Sequence, residues 1–293
     1  MNPVTPTQVQ RTFGAMGIAL IKFYLRLFGR KVAKAEVPWL AGPIGPRGEI
    51  GGRLYEVIAD QEGLAIDHLA TDAGLLTDFA ILAGPGFDIA RLHPAVRRFY
   101  EHTSRFELDT WSETRFPGRL FLWLIVSTVS RHMNQLNFPV FGLETSRGMT
   151  SEILPIRDAS GRALYTGWQR RLPGSGFTIY AGFYSTVQPP GWSSPCVKVV
   201  FPLPEGNATV ILYPQYDPQG RFRFVSQGRR FGDPGFYRIL ELDSEQLKVR
   251  YLRSLHERFD LYTDERGVLR CDHIVRFRGM TMLRLHYRIR PKD

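Results

Sequence analysis

Read as a string of apolar and polar positions, the chain changes its period once. Ahead of about residue 146 the apolar residues recur every three to four positions, and after Gly148 they recur every second one. Counted at 100° per residue, Phe13, Met16, Leu20, Phe23, Tyr24, Leu27 and Phe28 fall on one face of an N-terminal helix, with Lys22, Arg26 and Arg30 on the other. An aromatic-rich face opposite a purely basic one suits a helix lying in a membrane interface, while about 20 clean apolar residues would be needed to span. The expected membrane contacts are Phe13, Leu20, Lys22, Phe23, Arg26 and Leu27; the competing expectation is a helix docked on its own domain.

The stretch GPIGPRGEIGG reads as an irregular linker, since it lacks the Gly-Lys-Ser/Thr of a phosphate loop and the many triplets of a collagen. Beyond it, Pro94 and Pro117 suit first helical turns, and Val96, Phe99 and Tyr100 form a stripe. The run over residues 120–129 is apolar all round, as for a central buried helix. It closes on His132, Asn134 and Gln135, which either line a pocket mouth or cap the helix.

The second half carries three copies of one turn, DASG, DPQG and DERG, each suited to a type I turn closed by a left-handed Gly. About eight to ten antiparallel strands follow from the alternation. The expected fold is therefore α+β: an amphipathic helix and linker over residues 1–40, a mainly helical segment over 41–146, and an antiparallel β domain over 147–293. The β domain is expected to be barrel-like or strongly curved, lipocalin-like in general shape, and can be continuous with 41–146.

In the last hairpin, pairing Asp264 with Val268 sets odd positions against odd ones, so the apolar side of SLHERFDLYTDERGVLRCDHIVRF also carries Glu257 and His273. Glu257 then faces Val275, with His273 as its diagonal neighbour. The same rule at DASG puts Glu152 on a side with Leu154, Ile156, Thr166 and Trp168. A carboxylate turned inward has to be paired, protonated or wetted by a cavity. Glu257, His273 and Glu152 are thus the candidate acid–base groups, and Trp168, His132, Asn134 and Gln135 the candidate ligand contacts. On the even side, Arg258, Arg270, Arg276, Arg278, Arg284, Arg288 and Arg290 are expected to give a basic outer face.

Composition narrows the partners. The net charge of +10 comes mostly from arginine, and there is no clustered basic run or groove-reading module, so no nucleic acid is expected. Cys196 and Cys271 lack metal-site spacing, so no metal or other cofactor is expected. The N-terminus has no small-residue cleavage site, which points to a cytoplasmic protein, peripheral to the membrane if its helix lies there.

The runs HPAVRRFYEH, PGRL with the apolar segment after it, YTGWQRR, HERFDLYTD and LRLHYRI resemble, in sequence and order, an uncharacterised bacterial domain found behind saccharopine-dehydrogenase-like modules. The resemblance covers about residues 87–290; that domain has no assigned activity, so it implies no catalytic residue. No hydrolase elbow, zinc-protease, dinucleotide or phosphate-loop motif occurs. The expected function is binding of a hydrophobic or amphipathic small molecule near a membrane surface. The alternatives are a cofactor-independent isomerase, cyclase or hydratase using the Glu/His pair, and a structural or assembly partner.

Overall fold

The computed structural model describes residues 19–46, 53–113, 150–171 and 178–292. The first described element is a helix, α1, over residues 19–28. It leads through Gly29 into β1 (Arg30–Ala33), an edge strand paired with β11 (Gln246–Tyr251). Lys248 and Arg250 of β11 donate to the carbonyls of Gly29 and Phe28, placing cations at the carbonyl end of α1 where its dipole favours them.

Two more α-helices follow, α2 (Leu54–Glu62) and α3 (Pro94–Glu101), together with short 3-10 turns. α3 starts as its sequence dictates: Pro94 opens the first turn, the His93 ring accepts from the Ala95 amide, and Val96, Phe99 and Tyr100 are buried. The segment read as mainly helical also contains β2 (Ala65–Ile66) and β3 (Phe106–Glu113). In FELDTWSE the residues Phe106, Leu108 and Thr110 alternate inward, a period of two short enough to be overlooked beside α3. Residues 120–129, the expected central helix, lie outside the described residues, as do Phe13, His132, Asn134 and Gln135.

The remaining strands are β4 (Thr150–Arg157), β5 (Ala163–Arg171), β6 (Thr178–Val187), β7 (Cys196–Leu203), β8 (Gly206–Tyr216), β9 (Phe222–Val225), β10 (Phe236–Glu241), β12 (Leu255–Thr263), β13 (Leu269–Phe277) and β14 (Met280–Pro291). Among the described residues the strands form one 14-stranded sheet in the order β2-β4-β5-β6-β7-β8-β9-β12-β13-β14-β3. A side branch of β10, β11 and β1 leaves at β8. One edge of β8 serves two partners, β10 along Gly206–Val210 and β9 along Tyr213–Tyr216, and there the sheet divides.

The sheet is antiparallel and mostly hairpin-connected, as the alternation predicts, but it is not closed into a barrel: β2 and β3 end the order without pairing each other. It is nonetheless bent. Arg170 of β5 donates to Thr110 of β3 at 3.0 Å, so strands near opposite ends of the order meet through side chains across the gap. All three DxxG turns form as expected. Asp158, Asp217 and Asp264 each accept backbone N–H groups two and four residues on. Gly161, Gly220 and Gly267 take φ of 82°, 81° and 75°.

Three apolar clusters hold the layers. Phe79, Phe87, Phe99 and Tyr100, from the segment between α2 and β3, pack on Phe222 and Phe224 across the inner face of the sheet. Tyr55 and Ile58 of α2 cover Leu154, Ile156 and Phe183 on the outer face, and Trp39 packs against Tyr237 on the β8 branch.

Candidate functional site

The inner face is not filled. A cavity of about 330 Å³ lies between the curved sheet and α3, which contributes Phe99 and Tyr100 to its wall. Aliphatic and aromatic side chains make up most of its wall, among them Val199, Val210, Leu212, Phe236 and Leu261. A few charged or hydrogen-bonding groups interrupt that wall, and two of them, Glu257 and His273, come from the hairpin of β12 and β13.

β12 and β13 pair in the register that the parity rule requires, with Glu257 opposite Val275 and Phe259 opposite His273. Glu257 Oε1 contacts His273 Nε2, and both residues line the cavity. The backbone N–H of Glu257 donates to Ser226 Oγ at 2.7 Å, and its carbonyl accepts from the Ser226 amide at 2.9 Å, which fixes that strand segment against the end of β9. The His273 ring, 4% exposed, stacks on Phe259 with centroids 3.9 Å apart and lies nearly parallel to Tyr287 at 6.5 Å. Its Nδ1 is buried with no partner. An imidazole gripped at one nitrogen and stacked on Phe259, with the other nitrogen unengaged, can take or give a proton at a defined atom.

Trp168 also lines the cavity, its indole N–H donating to Ser151 Oγ at 2.8 Å and its ring packing 5.5 Å from Tyr180. The Tyr180 and Tyr184 hydroxyls are 2.7 Å apart. Burial pushes both phenols, and that of Tyr287, well above their ordinary range, so they face the cavity as neutral hydrogen-bonding groups.

Glu152 is not part of this group. The turn at Asp158 forms as expected, but a bulge between Ile156 and Arg157 shifts the register, so Glu152 pairs with Gln169 and Ile153 with Trp168. The single extra residue reverses the faces: Trp168 points into the cavity, and Glu152 is exposed on the side that carries α2. Sequence reasoning also missed Arg170, Tyr180, Tyr184 and Tyr287. Arg170 was within reach of the pattern, since it continues the inward alternation of Thr166 and Trp168.

α1 presents a second feature. Leu25 is buried, and Lys22 turns toward the sheet to pair with Glu205. Leu20, Phe23 and Leu27 are 68%, 64% and 60% exposed, with Tyr24 and Phe28 beside them. The docked face is therefore the one that carries Lys22 and Leu25, while Arg26 stays exposed and most of the apolar face points outward. Arg26 lies on the flank, lining an open polar depression with Lys34, Glu205 and Glu241. Arg250 stands over the Tyr24 ring at 5.9 Å.

The arginine face of the last strands differs from the expected basic surface. Arg258 and Arg223 meet Asp260, Arg288 and Arg290 meet Asp109, and Arg270 meets Asp264, so acids are interleaved with bases. Cys196 and Cys271 are both free and buried, and burial raises both thiols. Among the described residues no group of His, Cys, Asp or Glu is placed to hold a metal ion, and no helix is long and apolar enough to cross a membrane.

Fold and site together define a curved antiparallel sheet around one largely apolar cavity with a few buried ionisable side chains. No family model, no curated protein and no solved structure matches the chain.

Proposed function

We propose that the protein binds a hydrophobic or amphipathic small molecule in the cavity, at a membrane surface on which α1 rests. The observation that carries the reading is the cavity itself: about 330 Å³, walled by apolar side chains, with a small set of convergent polar groups. Ligand sites have this make-up, and a space of that size within a well-packed protein is otherwise a standing loss of contacts. The outward apolar face of α1, flanked by Arg26 and Arg30, suits an anionic lipid surface.

The test is titration with N-phenylnaphthylamine, a neutral fluorophore that brightens in apolar surroundings. The expected result is saturable one-to-one binding that is lost in Ala208→Trp, because Ala208 lines the cavity and the indole would fill it. Absence of saturable binding, or binding indifferent to Ala208→Trp, overturns the reading.

A second reading is favoured by one observation, the unpartnered Nδ1 of His273. On that reading the protein is a cofactor-independent isomerase, cyclase or hydratase in which His273 moves the proton and Glu257 orients the ring. It separates from simple binding by turnover: His273→Gln would abolish conversion of a bound molecule while leaving binding intact. With Glu152 on the other face, no second carboxylate from β4 supports this chemistry.

A further inference from the structure

β5 turns Thr166, Trp168 and Arg170 to the inside, and the last of these delivers a guanidinium to the cavity wall. Arg170 is 6% exposed. Its Nη2 donates to Thr110 Oγ1 at 3.0 Å, its Cζ stands 5.6 Å from the ring centroids of both Trp168 and Tyr287, and it hydrogen-bonds the Tyr287 side chain. Its Nε is buried with no acceptor. Among the described residues no carboxylate comes within ion-pairing distance of Arg170, and the ionisable groups nearest in effect to it are the neutral phenols of Tyr287, Tyr180 and Tyr184. A guanidinium taken out of water without a counter-ion is strongly unfavourable unless something else supplies the charge.

The other charges in the wall do not supply it. Glu257 is held by His273. Arg238 adds a second guanidinium, with Nη1 committed to the carbonyls of Asn207 and Ile239 at 2.8 and 2.6 Å. Two guanidiniums against one carboxylate leave the wall with net positive charge, and one negative charge on a ligand cancels it when His273 is neutral. Of the two guanidiniums, Arg170 is the one with a buried donor, its Nε, that no acceptor meets. A guanidinium fork matches a carboxylate in geometry and in charge, whereas the second charge of a phosphate would find no counter-ion here.

We infer that the ligand is an amphipathic carboxylic acid, its carboxylate bound by Arg170 and its apolar part lying in the rest of the cavity. This rests on the reading of the cavity as a ligand site.

The test compares dodecanoic acid, its methyl ester and dodecanol on the full chain, each below its aggregation threshold and each measured by displacement of N-phenylnaphthylamine. The acid is expected to bind about tenfold or more tightly than the ester and the alcohol. Arg170→Met is expected to remove that preference by weakening the acid while leaving the two neutral molecules bound. Equal affinity of wild type for acid, ester and alcohol overturns the inference and leaves the ligand site standing; so does an Arg170→Met protein that keeps the preference. If none of the three displaces the fluorophore and the fluorophore itself does not bind, the reading of the cavity fails and the inference with it. Should Arg170→Met not fold, the wild-type ratio of acid to ester decides alone.

Discussion

At the scale of single residues, the Glu257–His273 pair was legible from parity alone, because the turn at Asp264 and the apolar alternation of both strands demand the same register. What parity could not give is the room beside the pair, which depends on side chains from eight other strands and the segment over the inner face. Removing the imidazole strands a carboxylate and empties the stack on Phe259, so His273→Ala should lower stability by about 2–4 kcal/mol in urea denaturation. Glu257→Gln, keeping shape and a hydrogen-bond acceptor, should cost about 1 kcal/mol or less. Equal losses would mean that the pair does not hold the ring. Lys198 gives a prediction with a definite sign. It is buried on the outer side of β7, donating to the Ala41 carbonyl, and burial pulls its ammonium from the ordinary 10.5 down to about 8. The unfolded chain therefore binds that proton more tightly, and the penalty is full below about pH 8 and gone by about pH 10.5. Lys198→Met should accordingly stabilise the protein by about 1–3 kcal/mol near pH 7, with the gain shrinking toward zero as the pH rises through that window. A gain independent of pH would show that packing, not charge, is responsible.

At the scale of elements, the turns were the most legible feature and the bulge the least. Three copies of DxxG announce three left-handed glycines, and all three are found. At Gly267 an added Cβ meets nothing within 4 Å, so the cost of Gly267→Ala is that of backbone alone, about 1 kcal/mol. Asp264→Ala removes the acceptor of two backbone N–H groups and of Arg270 Nε and should lower the urea midpoint by at least as much as Gly267→Ala. Both shift the urea midpoint, and a larger loss at Gly267 than at Asp264 would contradict this account of the turn. The bulge between Ile156 and Arg157 has no such marker: one extra residue changes no composition and no turn, yet it exchanges the faces of β4 relative to the expected pairing, which is how Glu152 was misplaced. In α1 the amphipathic pattern was readable, and its orientation was not. Sequence periodicity shows that two faces differ, while the choice of which face docks was made by Leu25 and by the pairing of Lys22 with Glu205, a residue far along the chain.

At the scale of the whole molecule, the alternation and the three turns foretold an antiparallel, curved sheet, and the lack of closure followed from contacts that no local pattern records. β8 shares one edge between β9 and β10, and the ends of the sheet are bridged by Arg170 and Thr110 rather than by a backbone ladder. The resulting shape sets two surfaces against two environments: an inner wall around the cavity and an outer apolar strip on α1. Because Phe23 and Leu27 are exposed, Phe23→Glu with Leu27→Glu should leave the thermal midpoint unchanged and lower affinity for phosphatidylserine-containing vesicles by about tenfold or more in co-sedimentation. Unaltered sedimentation would rule out α1 as the contact. The central claim concerns the cavity, and native mass spectrometry of the purified chain bears on it most directly. After incubation with dodecanoic acid the account predicts a one-to-one complex that survives desolvation in wild type and is absent in Ala208→Trp. A bare chain mass in both proteins, or an equal complex in both, would contradict it.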